Sequence, residues 1–177
     1  MKNSCWPEFS GAFGKNDLVL AKRLHRIAFQ VSLVLAGAGI TFLYLAAPWL
    51  FGLWTHGRLG FNSAVFGVLL LVVFANSLWN ASSAVPMSAN RHERLSLEYL
   101  AFSAISLVLA CLLAKPMGLV GIACGMLFAD LGMSVVVVRL SNALVADDMT
   151  SLMLACLDPR PGWKLLAGMG RRIRRQR

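Results

Sequence analysis

Residues Ile27–Trp54 read IAFQVSLVLAGAGITFLYLAAPWLFGLW, and no Lys, Arg, Asp or Glu stands anywhere between Arg26 and Arg58. A helix rises about 1.5 Å per residue and the hydrocarbon core of a bilayer is about 30 Å thick, so this run exceeds the roughly 20 apolar residues that a crossing requires. Three further stretches meet the same condition. They are about Asn62–Val85, with no charge between Arg58 and Arg91; about Leu95–Ala114, with Glu98 near one end; and Gly118–Val138, whose single carboxylate is Asp130. The runs are continuous rather than alternating, and an open strand cannot satisfy its backbone in lipid, so helices are predicted. The expected fold class is all-α integral membrane. A four-helix transmembrane domain covers 27–138, with spans at 27–54, 62–85, 95–114 and 118–138, between an N-terminal segment 1–26 and a C-terminal segment 139–177.

Composition agrees with that reading. Of 177 residues, 58% are hydrophobic and 14% charged, where soluble domains average about 25% charged; this excludes a water-soluble fold. The net charge of +9 does not point to nucleic acid, because five of the 17 Lys and Arg lie before residue 27 and eight lie at or after Arg139. No basic stripe of the kind that tracks phosphates is left between them. Taken in chain order, the N-terminal segment, three loops and C-terminal segment hold 5, 1, 2, 1 and 8 basic residues. Positively charged loops are retained in the cytoplasm, so four crossings with both termini cytoplasmic are expected. The first apolar run is far longer than the 7–15 residues of a signal peptide's core, and no signal peptide is expected.

Catalytic and metal chemistry finds no support in the spacing. Cys5, Cys111, Cys124 and Cys156 form no CxxC pair and have no His at ligand spacing, so neither a disulfide framework, a metal site nor a cofactor is expected. His25, His56 and His92 fall at loop or interface positions, none beside a Ser or Cys in a nucleophile spacing, and no enzyme is expected.

The ends have features of their own. Asn16 and Asp17 are good N-caps before Leu18, Leu20, Leu24 and Ile27, so the first helix is expected to begin outside the bilayer as an amphipathic turn or two. After Arg139 a weakly amphipathic stretch reaches Leu157 and is broken by Asp158-Pro159-Arg160-Pro161-Gly162; the tail from Trp163 then combines apolar residues at near-helical spacing with six Lys and Arg. Such a tail is expected either to lie on an anionic leaflet or to act as a disordered basic topology signal.

Inside the spans, polar and small residues recur on single faces. Asn76, Asn80, Ser83 and Met87 share one face, with Trp79 beside them; unpartnered amides are costly in hydrocarbon, so this face meets another helix or lines a water-filled cavity. Tyr99, Ser103, Ser106 and Ala110 repeat the spacing, and Gly121 with Gly125 forms a GxxxG that Gly132 extends. Gly121, Gly125, Ser103 and Ser106 are thus the expected helix-packing residues. Asp130 lies about 18 Å into its helix and must be protonated, paired or facing water, as a proton or cation site, a contact for a polar substrate, or an interhelical hydrogen bond. Gly37-Ala38-Gly39 and Pro48 are places where the first helix can bend, and Trp49 and Trp54 suit an interfacial aromatic belt.

Several short motifs resemble a known family. Pro7-Glu8-Phe9-Ser10, Gly14-Lys15-Asn16-Asp17 and Leu24-His25-Arg26 before an apolar helix ending in Leu53-Trp54 resemble the segment around the ninth helix of polysaccharide (O-antigen type) flippases of the multidrug/oligosaccharidyl-lipid/polysaccharide exporter superfamily. Ala89-Asn90-Arg91-His92 and Gly118-Leu119-Val120-Gly121-Ile122-Ala123 are similar to the next two connections, and the resemblance runs from Trp6 to Asn142. It implies an inner-membrane protein of cell-surface polysaccharide export that handles a lipid-linked oligosaccharide. Such flippases have about twelve helices in two lobes, so the chain would be a truncated or split flippase, or would assemble with a partner chain supplying the missing helices. The basic cavity residues of the family belong largely to those helices, and none is carried over. Asn76, Asn80, Arg91 and Asp130 are substrate or cavity candidates from burial cost alone. Two other readings stand beside this one: a non-transporting protein that binds partners through its GxxxG face and membrane lipid through its tail, and a self-associating four-helix exporter coupled to protons through Asp130.

Overall fold

The structure, a computed structural model, describes residues 9–157. The Pro7-Glu8 motif, the break at 158–162 and the basic tail lie outside the described residues. A helical segment over 9–14 (α1) is followed by α2 (Leu18–Thr55), α3 (Ser63–Ser82), α4 (Ala84–Ser88), α5 (His92–Met117), α6 (Leu119–Leu144) and α7 (Met149–Leu157), with no strand among the described residues. Four helices are long and apolar enough to cross a membrane: α2, α3 continued through α4, α5 and α6. The chain is an all-α protein of multi-pass membrane character.

Each helix begins and ends for a local reason. The Asp17 carboxylate accepts a hydrogen bond from the Leu20 backbone N–H at 3.0 Å and caps α2, while the Asn62 side chain accepts from Val65 at 3.1 Å and caps α3. At the far end of α2, His56 and Gly57 take positive φ in succession, and Gly57 donates back to the Gly52 carbonyl, which closes the helix. At 38 residues α2 is about 57 Å long, nearly twice the hydrocarbon thickness, and it continues through Pro48.

Helices α3 and α4 form one span with a break at Ser83. Pro86 has no N–H to give to the Ser82 carbonyl four residues earlier. That carbonyl accepts instead from the Ser141 hydroxyl of α6 at 2.8 Å, so the backbone group freed by proline is satisfied by a neighbouring helix, as membrane burial demands.

The turn from α5 to α6 is a single residue, Gly118, at φ +59°. A side chain there would be strained. The helices also extend beyond the apolar runs: the third reaches from His92 to Met117, and the fourth starts at Leu119 and continues past Arg139 to Leu144 before turning into the separate helix α7. Polar residues at a bilayer boundary do not interrupt the backbone ladder, so the apolar run understates the helix.

Packing is sequential across one layer: α2 lies against α3, α3 against α6, and α6 against α5. Helix α6 is the most buried of the four, and the long apolar windows of α2 and α5 hold almost no fully buried residue. On one side of the layer, Phe9 and Ala12 of α1 pack with Ala21, Ala84, Val85 and Val145. Both described ends of the chain therefore lie at the same end of the helices. Trp49 and Trp54, 70% and 80% exposed, stand at the opposite end of α2.

Candidate functional site

The most polar place inside the spans is centred on Asp130, 11 residues into α6 and thus about 17 Å along it. Its Oδ1 accepts two hydrogen bonds from α3, from Asn76 Nδ2 at 2.9 Å and from Trp79 Nε1 at 2.8 Å. Asn80 Nδ2 in turn donates to Asn76 Oδ1 at 2.8 Å, which fixes the orientation of the Asn76 amide. Residues 76 and 80 are one turn apart on α3 and 79 stands beside them, so the three side chains converge on one neighbour. The Ser134 hydroxyl lies 2.8 Å from both the Ala75 carbonyl of α3 and the Asp130 carbonyl of its own helix, a second polar contact between the same pair of helices one turn further along.

Asp130 Oδ2 has no hydrogen-bond partner among the described residues. The carboxylate lines a groove of about 390 Å³ between α3, α5 and α6, together with Asn76, Tyr99, Ser103, Ser106 and Met133. The Trp79 and Tyr99 rings stack obliquely, with centroids 5.9 Å apart, beside the carboxylate's indole donor. The groove thus combines a carboxylate oxygen, hydroxyls and aromatic faces, a set that binds either a cation or a hydroxyl-rich polar group.

Asn76, Asn80 and Asp130 form this one network. Arg91 does not join it: it is exposed at the N-cap of α5, at the end of the helix remote from the groove's centre. The small residues have a different task. A Cβ placed at Gly125 would meet the Ala110 backbone N at 2.7 Å, one at Gly121 would run into the Leu113 backbone, and one at Gly132 would run into the Phe102 ring. The Ser106 hydroxyl donates to the Gly125 carbonyl at 2.8 Å. Ser103 lines the groove. The glycine face is filled by α5 of the same chain, so it is not open to a second protein, as the partner-binding reading requires.

His25 stands two residues before the charge-free run, an interface level, but it is packed between helices rather than open. It is fully buried in α2, where its Nε2 lies 3.1 Å from the Ser82 hydroxyl, and Nδ1 has no partner. With Ser82 held against Ser141, this cluster joins α2, α3 and α6 near the α1 end. The residue sits immediately before Arg26 in a basic run, and that context hides its burial.

A second polar cluster was not legible either. Asp147, in the turn between α6 and α7, has a fully buried side chain. It accepts a bidentate pair from Arg26 (Nε to Oδ2 and Nη2 to Oδ1, both 2.7 Å), and Lys22 Nζ stands 2.9 Å away. Arg26 also donates to the Ser151 hydroxyl at 2.8 Å. Burial alone would raise the Asp147 carboxyl, but the hydrogen bonds from Arg26, Ser151, Lys22 and the Asp148 backbone outweigh it and hold the carboxyl well below the usual carboxylate range. The partners are 121 and 125 residues apart, beyond any local spacing rule.

Among the described residues no group of His, Cys, Asp and Glu could hold a metal ion. No protein-family profile, no curated protein and no solved structure matches the chain.

Proposed function

We propose that this chain forms one helical layer of a carrier that moves the polar head of a lipid-linked oligosaccharide across the inner membrane, with both termini in the cytoplasm, as a contribution to cell-surface polysaccharide export. The observation that carries the reading is the Asp130 network. A carboxylate at mid-helix is oriented by two N–H donors of a neighbouring helix and keeps one oxygen for the groove that Tyr99 and Ser103 line. A polar site at that depth is expensive in lipid, which makes a functional use the default reading.

A saccharide suits the groove because its hydroxyls donate to a carboxylate and its C–H face packs on the Tyr ring, while the lipid tail stays in the bilayer. The layer exposes apolar surface along α2 and α5, so the lipid part of the substrate meets no polar barrier on reaching it. A full passage needs helices on the other side of the groove, which a partner chain or a second copy would supply.

The test is to purify the chain with whatever accompanies it from its native membrane, reconstitute it into vesicles, and follow transbilayer movement of a fluorescent polyprenyl-diphosphate saccharide. Transport above that of protein-free vesicles, reduced about tenfold or more by Asp130→Asn and by Asn76→Ala, is expected. Movement no faster than without protein overturns the proposal, and transport indifferent to both substitutions overturns the site. Movement of protons with no saccharide, lost in Asp130→Asn, would instead favour the proton-coupled exporter.

A further inference from the structure

We infer that the crevice between α2 and α7 is a binding site for the phosphate of an anionic phospholipid in the leaflet at the end where both described ends of the chain lie. This site is separate from the Asp130 groove and does not rest on the transport reading.

The crevice, about 420 Å³, is lined by Val19, Lys22, Arg23, Arg26, Ile27 and Gln30 of α2 and by Ala155 of α7. Its position along α2 is telling. The three cations occupy the last turns before the charge-free run that starts at Ile27, so the crevice straddles the boundary between headgroup and hydrocarbon. Helix α7 borders the crevice through Ala155 and leaves Met153 and Leu154 exposed, 62% and 67%, as an interfacial helix does.

Charge selects an anion. Three cations line the crevice, and the one carboxylate that meets them, Asp147, is itself buried beneath Arg26 and Lys22. Positive charge is therefore left in excess at the rim. Asp147 and Ser151 hold the Arg26 guanidinium through Nε and Nη2, so its position is set before a ligand arrives and Nη1 remains to donate. Arg23 is exposed and has no ion pair or hydrogen bond among the described residues. A phosphodiester oxygen pair matches such guanidinium forks, and a phosphate bound there is held by donors fixed in advance.

The apolar part of the lining selects a lipid over a free anion. Val19, Ile27 and Ala155 give a surface for the glycerol backbone and the first acyl methylenes, which a soluble phosphate does not use. The chain's own C-terminal segment is a poor occupant, since residues 158–177 carry seven Lys and Arg against one Asp.

The test uses the full chain in nanodiscs of phosphatidylcholine with increasing phosphatidylglycerol, reading the thermal midpoint and, by native mass spectrometry, the lipid retained. A saturable rise of the midpoint with one tightly retained phosphatidylglycerol is expected. Arg23→Gln leaves the Asp147 pairings untouched and should weaken apparent affinity about fivefold, the effect of about 1 kcal/mol per basic residue at such a surface, and Arg23→Glu more. Arg58→Gln, at the other end of the layer, should change nothing. Unchanged affinity in both Arg23 variants, or an equal loss in Arg58→Gln, overturns the site. Equal stabilisation by millimolar inorganic phosphate in pure phosphatidylcholine overturns the lipid and leaves a soluble-anion site.

Discussion

Replacing Gly125 by Ala tests the packing on which the groove depends. The added Cβ would stand 2.7 Å from the Ala110 backbone N, 2.9 Å from its Cα and 3.0 Å from its Cβ. Carbon contacts are comfortable at about 3.5–4.0 Å, so α5 and α6 must separate locally by about 0.5–1 Å. Backbone, unlike a side chain, cannot rotate away. Overpacking of this kind costs about 1–3 kcal/mol. The same movement stretches the Ser106 hydrogen bond to the Gly125 carbonyl, 2.8 Å long, and such interhelical bonds contribute about 0.6 kcal/mol in membranes. The better helix propensity of Ala returns up to about 1 kcal/mol. The net expectation is a loss of about 1–3 kcal/mol. It is measured by titrating the purified protein in mixed micelles with dodecyl sulfate and following tryptophan fluorescence. Gly39, with nothing within 4 Å of its built Cβ, is the control, and Gly39→Ala should be neutral or slightly stabilising. If Gly125→Ala unfolds together with Gly39→Ala, the close approach of α5 and α6 is refuted.

Other expectations follow from the polar contacts. Trp79→Phe keeps an aromatic ring but loses the rest of the indole and one of the two donors to Asp130, and should cost at least the about 0.6–1.7 kcal/mol of such a hydrogen bond in the same titration; no change would mean that the indole N–H is not bonded to the carboxylate. His25→Ala empties a fully buried position and leaves the Ser82 hydroxyl without its imidazole, so a loss of about 2–4 kcal/mol is expected, and a near-neutral result would place His25 outside the core. Asp147 carries the pH dependence. Its carboxyl is held below the unfolded value, so its pairing contributes in full above about pH 4 and is lost as the pH falls through the lower folded value. The midpoint of the wild type should therefore drop towards that of Asp147→Asn as the pH falls below about 4, and parallel pH profiles of the two proteins there would contradict the pairing. Tags at the two ends should report the same compartment, and opposite compartments would exclude the paired arrangement of α1 with Val145.

Some of this architecture was written plainly in the residue order. The four spans follow from long apolar stretches holding one carboxylate or none, too long to be anything but helices in lipid, because each missing charge removes a large desolvation cost. Asp17 as a cap is a local effect and equally readable, whereas Gly118, placed inside the fourth span by its apolar run, is the turn before it. The face shared by Asn76 and Asn80 announced that something polar must meet it, since an amide in hydrocarbon needs a partner. Which partner was not announced. Asp130 is 54 residues from Asn76 and 51 from Trp79, and nothing in either helix alone sets their relative rotation.

The helix order across the layer is likewise a tertiary result. Lipid tails attract Leu as well as another helix does, so apolar periodicity cannot choose neighbours, and shape and hydrogen bonding must. Gly121 and Gly125 of α6 are therefore covered by α5, Arg91 stands apart from the other candidates, and His25 lies buried amid basic residues. Arg26, Lys22 and Asp147 meet only because the bundle returns its two ends to one side. Crossing the membrane is decided residue by residue through solvation, whereas the sites arise from contacts between segments far apart in the chain.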